Sequence, residues 1–454
     1  MANEPEPMLS VEEAQEQLLA AVGDPLPGED VPLDEALDRV LAESIRSALD
    51  LPPWDNSSMD GFAVHAADVA GASSDAPVRL RVVGEVQAGG SPDVALPPGC
   101  AIRIATGARV PSSADAVVPV ESTIVRAAGS GSAAGNAAGS GAPRAMGFRA
   151  GEPLPEACLV TAGVEPGAFI RRRGEDVRAG TRVLEPNRRL GPAQIAMSAA
   201  VGLGSVCVHR KPVAGVLSTG DELRRAGQPL GDVGIPDANR PGLLAMCRAV
   251  GALALDLGIA GDSVESVLGA LRPAIERSDV LIVSGGVSVG PYDVVRAAFE
   301  AIGRVELWRV AVQPGKPFAF GRSKPRESDG RSVLLFGLPG NPVSTFVTFE
   351  LFVRPALERL SGILSPTVDA DRAVTEDRLQ KAAGRRGFLR VIVIRDERGD
   401  PVRDGQGRLL VRQAGHQGSH VLSALAAADA LAVVPEADGG LEPGAEVEIR
   451  WLRR

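Results

Sequence analysis

Between residues 211 and 365, short apolar runs alternate with amphipathic ones, and this alternation constrains the fold more than any other feature of the chain. "VAGVLS", "LALDLG", "VLIVSGG" and "SVLLFGL" are continuous apolar runs of strand length. After them come "RPGLLAMCRAVG", "SVESVLGALRPAIERS", "VVRAAFEAIG" and "PVSTFVTFELFVRPALERL", with apolar residues at helical spacing. Strands that are apolar throughout and separated by helices predict a parallel sheet covered on both faces. Ligands of open sheets of this kind bind beyond the carboxyl ends of the strands.

Four strand ends carry distinctive chemistry. "STGDEL" supplies Ser218, Thr219, Gly220 and Glu222, and "LGIAGDS" supplies Asp262. "VSGGVSVGPYD" supplies Ser284, Gly285, Gly286, Ser288 and Asp293, and "GLPGNPVS" supplies Pro339, Gly340 and Asn341. Asn341 reads as a helix cap, and Pro342 fits the first turn. One glycine pair is an ordinary strand-to-helix turn, but four such ends in one sheet point to a site. Gly285 and Gly286 would let backbone amides approach an anion, with Ser284 and Ser288 as hydroxyl donors. Asp293 would repel a bare phosphate; it fits if it holds a magnesium ion that the phosphate shares. Lys316, in the turn "QPGKPFAFG", would neutralise a transferring phosphate, although alone it reads as a solvated loop lysine.

The rest of the chain has other textures. Residues 10–23 predict an amphipathic helix opening at Ser10, and "PLDEALDRVLAESI" predicts a second. From 78 to 170, "VRLRVVGEV", "CAIRIATG", "DAVVPVE" and "AFIRR" predict a small all-β unit. Inside it, 127–143 is low complexity and predicts a disordered loop. Beyond 365, "FLRVIVIRD", "RLLVRQ", "ALAVVPE" and "AEVEIRWL" predict a small C-terminal β domain. The expected domains are 1–46 with 181–210 as a linking unit, 47–180 as the β-rich unit, 211–365 as the sheet domain and 366–454 at the end.

Several function classes lose ground. A net charge of −9 argues against a nucleic-acid or membrane-surface binder. Aromatic content of 3 % makes stacking a poor binding mode. The cysteines form no CxxC pair, which removes a zinc knuckle. No apolar signal core or membrane-length run is present, so a cytoplasmic protein with reduced thiols is expected. There is no Walker A motif, no GxGxxG after the first strand, and no histidine near Ser218 or Ser284 in sequence. Kinases, Rossmann dehydrogenases and serine hydrolases are disfavoured accordingly. "RRRGED", 171–176, read alone, is a surface ion-pair cluster. In "GHQGSH", Gly415 and Gly418 argue against a helical metal face for His416 and His420. Trp54, Met59 and Phe62 around Asp60 read as core or turn packing.

Taken together, "NSSMDGFAV", "IATGARVP", "RRRGEDV", "STGDEL", "VSGGVSVG", "PGKPFAFG" and "GLPGNPVS" resemble the molybdopterin molybdenumtransferases, in family order over roughly residues 50–360. The resemblance implies an elongated α/β multidomain homodimer. It implies an αβα pterin-binding domain, a β-rich insertion domain and a small C-terminal β-barrel-like domain. It implies transfer of molybdenum from molybdate to adenylylated molybdopterin with release of AMP, assisted by Mg²⁺. The implied catalytic residues are Asp60, Thr106, Asp176, Glu222, Asp262 and Asp293; the last three are also the implied metal residues. The implied binding set is Ser218, Thr219, Gly220, Asn239, Ser284, Gly285, Gly286, Ser288, Lys316, Pro339, Gly340 and Asn341. Implied partners are a second copy of the chain, the adenylyltransferase of the preceding step and acceptor molybdoenzymes. The chain departs from the family at Gln313, where a second lysine is common, and at Pro291-Tyr292. Two other readings stand beside this one: a non-enzymatic pterin-binding scaffold, and the adenylyltransferase itself. The intact acids oppose the first. The "MDG" and "ATG" region, which the adenylyltransferase lacks, opposes the second.

Overall fold

The structure, a computed structural model, describes residues 8–125, 153–286, 294–365 and 369–452. The segment 127–143, Ser288 and Asp293 lie outside the described residues. Contacts divide the chain into a smaller unit, Ser44–Glu185 with Pro192–Gly204, and a larger one, Met1–Glu43, Pro186–Gly191 and Ser205–Arg454.

The smaller unit is built on a six-stranded sheet in the order Ala116–Pro119, Gly61–Val64, Cys100–Ile104, Val78–Val86, Ala157–Val160, Thr123–Val125. Alternate residues feed two apolar clusters: Phe62 and Val64 one, Ala63, Ile102 and Ile104 the other. This is the period-2 pattern of a sheet buried on both faces. Phe62 is core, as the sequence predicts, but Trp54 is 43 % exposed.

The larger unit begins with α1 (Val11–Val22), opened by a capping box in which Ser10 and Glu13 satisfy each other's backbone amides. The second helix predicted nearby does not form. Only one 3₁₀ turn, Leu33–Glu35, appears, and Asp38 takes a positive φ of 62°. Val40 and Leu41, adjacent and both buried, instead bridge to Arg189 and Val208. Leu37, which a helix would bury, is 52 % exposed. Backbone pairing to distant strands outcompetes local helical periodicity here.

The sheet domain follows: β1 (Val213–Thr219), α2 (Asn239–Ala249), β2 (Leu253–Ala260), α3 (Val264–Ile275), β3 (Val280–Ser284), α4 (Val294–Ile302), β4 (Gly303–Arg309), β5 (Pro317–Ser323), β6 (Leu334–Leu338) and α5 (Pro342–Thr348). Strand order is β2-β1-β3-β6-β5-β4. The first four strands are parallel, as predicted; β5 and β4 add an antiparallel edge that was not read from the sequence. On β3, Val280 and Ile282 enter the cluster that holds α1, α2 and α5, whereas Leu281 and Val283 enter the cluster that holds α3 and α4. That is the two-faced core implied by strands apolar at every position.

The long helix expected after β6 runs from Pro342 to Leu360 but widens to a π segment at Phe349–Val353. The cause is Pro355, which has no N–H to give Leu351 O and would crowd it. The freed Leu351 carbonyl accepts instead from Gln15 Nε2 of α1 at 2.8 Å.

The C-terminal strands close into a barrel. Arg386–Val393 pairs with Leu409–Gln413 and Ala430–Val434, and Ala370–Thr375 with Glu446–Trp451 completes the ring. Val312–Gln313, just ahead of Lys316, adds to this sheet in parallel with Arg386–Gly387.

A buried ion network anchors the amino end of β3. Asp279 accepts from both Arg210 nitrogens at 2.7 Å and from Val213 N at 2.9 Å, with Arg326 at 3.4 Å. Burial pushes its carboxyl up, but the Arg210 and Val213 hydrogen bonds and the two guanidinium charges outweigh that and hold it below the ordinary value. A lowered folded pKa gives stability that is present above the unfolded value and lost as pH falls through the folded one. Asp279→Asn should therefore lower stability near neutral pH by about 3 kcal/mol, since it leaves buried arginine charge uncompensated. Its deficit relative to the parent should shrink as pH drops below about 4. Thermal melts across pH check this; a deficit constant down to pH 3 would contradict it.

Candidate functional site

The strand order reverses between β1 and β3, with β2 on one side and β6 on the other. At such a switch point the chain leaves neighbouring strands in opposite directions and opens a crevice. A cleft of about 810 Å³ lies there, lined by Ser218, Thr219, Gly220, Glu222, Asn239, Asp262, Ser284, Gly285, Gly286, Gly340 and Asn341. Eleven residues singled out in the sequence thus converge on one cavity.

Gly285 and Gly286 adopt φ of 98° and 63°, and a Cβ at Gly285 would sit 2.4 Å from Thr219 O. No other residue type fits that turn without shifting backbone. The amide of Gly285, however, is not offered to a ligand as the sequence suggested, because it donates to Leu338 O at 3.2 Å. The role of the glycine is close approach of backbone. Gly285→Ala should cost about 2 kcal/mol of stability and disturb the cleft; an unchanged melting temperature would refute the steric reading.

Ser284 also differs from expectation. Its Oγ donates to Pro339 O at 3.3 Å and accepts from Asn239 Nδ2 at 2.9 Å, so it is not a free donor. Thr219 Oγ1 is buried in the cleft wall and has no partner among the described residues. Asn341 occupies the cap position of α5 but makes no side-chain capping bond.

The acids stand at the rim. Asp262 and Asp221 exchange backbone hydrogen bonds at 3.2 Å, each carboxylate accepting from the other's amide. The Glu222 carboxylate lies against Gly220, where a Cβ would meet its Oε2 at 2.8 Å. Lys316 is exposed and precedes Pro317. Ala319 pairs with Gly337, so continuing the register places Pro317 opposite Pro339, and Lys316 shares the cleft's end of the sheet.

Asp60 and Thr106 meet in the smaller unit: Thr106 N and Oγ1 both donate to Asp60 Oδ1, at 2.7 and 2.9 Å. Asp176 is exposed there, and its amide donates to Leu51 O. In the same segment Arg172 pairs with Asp55 and Arg173 with Asp50, as expected of a surface ion-pair cluster.

Three parts of the site were not found from sequence. Asp237, 2 % exposed, accepts from Ser218 Oγ at 3.0 Å and from Arg240 Nε at 2.8 Å. Burial pulls Arg240 down in pKa, yet Asp256 and Asp237 raise it above the ordinary value. His420, on an irregular loop, lines the cleft. Ser419 O on that loop accepts from Val343 N of α5. Arg390, fully buried on a barrel strand, donates from Nη2 to His416 O and Gly418 O at 3.0 Å. Its Nε and Nη1 have no partner among the described residues, and burial pulls its pKa down to about 10. The only sequence signals were polar residues flanking Ala238 just ahead of a helix, and the "GHQGSH" loop itself.

Comparison with known proteins agrees with this layout. The MoeA N-terminal region (domains I and II) matches residues 9–202, a probable molybdopterin binding domain 215–359, and the MoeA C-terminal region (domain IV) 372–452. The molybdopterin molybdenumtransferase of Haemophilus influenzae is 33 % identical over 443 residues, 97 % of this chain and 98 % of that protein. Molybdopterin molybdenumtransferase 2 of Mycobacterium tuberculosis is 35 % identical, covering 92 % of this chain and 94 % of its own. The crystal structure of a molybdopterin biosynthesis MoeA protein from Pyrococcus horikosii superposes with a TM-score of 0.75 at 30 % identity, over 99 % of this chain and 100 % of that one. With these matches running nearly end to end, and the strand ends that form the cleft inside the matched binding domain, the chain belongs to the molybdopterin molybdenumtransferase family.

Proposed function

We propose that the chain inserts molybdenum from molybdate into adenylylated molybdopterin and releases AMP. The carrying observation is the cleft at the β1/β3 switch point, whose strand ends lie within the segment matched to a molybdopterin-binding domain. Its volume suits a ligand of nucleotide size. The relatives' activity makes this chain a transferase of molybdenum cofactor biosynthesis.

Cleaving a phosphoanhydride demands positioning and charge stabilisation rather than a covalent nucleophile. The cleft suits that: its serines bond to Asp237, Asn239 and Pro339, and not to a histidine. Glu222, which lines the cleft, would orient molybdate or water, and Lys316 would add positive charge at the same end of the sheet. Among the described residues no three His, Cys, Asp or Glu side chains form a closed metal cage. Asp262 and Glu222 offer hard oxygen donors with open positions, which fits Mg²⁺ sharing its sphere with substrate oxygens. These two, with Asp293, would hold the ion, and bound there it would offset phosphate charge.

The working form is a homodimer in the cytoplasm, and the Asp60–Thr106 pair of one chain serves the cleft of its twin. Substrate arrives from the adenylyltransferase of the preceding step, and product leaves to molybdoenzymes, so contacts with both follow. The test combines purified protein, adenylylated molybdopterin, Mg²⁺ and molybdate, and follows AMP. Release should require both the metal and molybdate. No release from the complete mixture, or equal release without molybdate, would overturn the reading.

A further inference from the structure

The larger unit carries a second cavity, of about 340 Å³, lined by Arg39, Arg189, His209, Lys211 and Arg248 together with one acid, Asp38. It lies at the opposite end of the sheet from the cleft. Lys211 stands just ahead of Val213, where β1 begins, whereas Ser218 and Thr219 end that strand in the cleft. The seven residues of β1 span about 23 Å. α2 runs between the same two places: Asn239 opens it in the cleft, and Arg248 stands in its last turn, about 14 Å further along the axis.

Two of the basic residues are committed to the wall. Arg39 donates to the Glu29 carboxylate and to His209 O at 2.9 Å. His209 donates from Nδ1 to Leu26 O at 2.7 Å and sets Nε2 against Asn187 Oδ1 at 3.2 Å. The other three are not neutralised. Arg189 gives one nitrogen to Asp38 O, an uncharged carbonyl, at 3.2 Å. Glu358, on the helix Arg354–Leu360, feels the Arg189 charge without an ion pair to it, and burial pushes its carboxyl up. The side chains of Lys211 and Arg248 have no hydrogen bond or ion pair among the described residues. Against these three cations the cavity sets only the Asp38 carboxylate. A cation in the last turn of a helix complements the helix dipole, which accounts for Arg248 but not for Arg189 or Lys211, since they come from other segments. The backbone beneath all three is held: Arg210, beside Lys211, is bonded twice to Asp279, Arg189 is bridged to Val40, and Arg248 is helical. Like charges gathered on fixed backbone repel one another unless an anion joins them, and their convergence in a chain of net charge −9 makes a preorganised anion site. We propose that this cavity binds a phosphate-type dianion, free or as the end of a small organic ester, at a site separate from the cleft. Two guanidinium groups and one ammonium group suit its oxygens, and the excess positive charge suits its own.

The test titrates the full-length protein with inorganic phosphate, pyrophosphate and glycerol 3-phosphate. It is run at low ionic strength and without added Mg²⁺, so that the acids of the cleft recruit no phosphate. Saturable binding with a Kd of about 1 mM or tighter is expected. Lys211→Ala and Arg248→Ala, each checked for an unchanged melting temperature without anion, should weaken it about tenfold. Asp38→Asn should tighten it about threefold, because asparagine tolerates the positive φ of 62° and removes the opposing charge. That gain is one that a purely structural role for these residues would not produce. Glycerol 3-phosphate binding as tightly as phosphate assigns the site to an ester; binding of the inorganic anions alone assigns it to the free anion. The proposal is overturned by no saturable binding of any of the three at about 10 mM, or by an equal response to sodium chloride at matched ionic strength. Parent-like affinity in either alanine variant would overturn it too, since the anion would then sit elsewhere, as would the absence of any gain in Asp38→Asn. Binding is read without turnover, so the outcome does not depend on the transferase reading.

Discussion

Asp262→Asn should lower AMP release by about a hundredfold or more, and Glu222→Gln by a similar factor, on the scale of losing one preorganised charge at a phosphoryl-transfer centre. Both carboxylates line the cleft. Asp262 is paired with Asp221 only through backbone amides, and an asparagine oxygen can still accept one of those bonds. Melting temperatures should therefore stay close to the parent's, which separates lost chemistry from lost fold. If Asp262 is a magnesium residue, added Mg²⁺ should recover part of the activity, and a chelator should abolish it in the parent. Parent-like turnover by both variants at limiting Mg²⁺ would remove these acids from the reaction.

Mixing two inactive variants, Asp60→Asn and Asp262→Asn, should restore activity after joint unfolding and refolding. Asp60 lies in the smaller unit, bonded to Thr106, and Asp262 lies in the larger. In a symmetric dimer whose sites each draw on both chains, a mixed pair has one doubly damaged site and one intact site. Random pairing makes roughly half the dimers mixed, so roughly a quarter of all sites should work. Differently tagged chains verify the exchange. Activity no higher than that of the separate variants, with exchange shown, would mean that each site belongs to a single chain.

Legibility in the sequence followed how local the determining physics was. The β1, β2, β3 and β6 strands were readable because a strand buried on both faces must be apolar at every position. The capping box at Ser10 was readable because its partners lie three residues apart. The false helix over 32–45 had acceptable periodicity, but Val40 and Leu41 are held by Arg189 and Val208, more than 140 residues away. No local pattern encodes such pairing. The site divides in the same way. Ser218, Gly285 and Asn341 announce themselves at strand ends, whereas Asp237 is defined by reaching Ser218, nineteen residues earlier, and His420 by a loop of the barrel domain. The donor or acceptor state of a serine is fixed by its neighbours in space, and for Ser284 these are Pro339 and Asn239, which no local pattern announces.

The short strand Val312–Gln313 has a consequence for how this family can be recombined. It belongs by sequence to the sheet domain, yet it is hydrogen-bonded into the barrel, with Arg386 N on Ala311 O and Ala382 N on Gln313 Oε1. The loop carrying Lys316 is thus stitched to the barrel at its start and to β5 at its end. The barrel is not a cassette that ends at the covalent junction near residue 365. A chimaera that exchanges residues 366–454 for those of a relative would cut through a two-residue parallel ladder and the Gln313 contact, whereas one that also carries 311–317 from the same donor would keep the graft whole. Drift at 311–317 and at 381–387 is coupled in the same way, because a change on one side of that ladder meets its geometric constraint on the other.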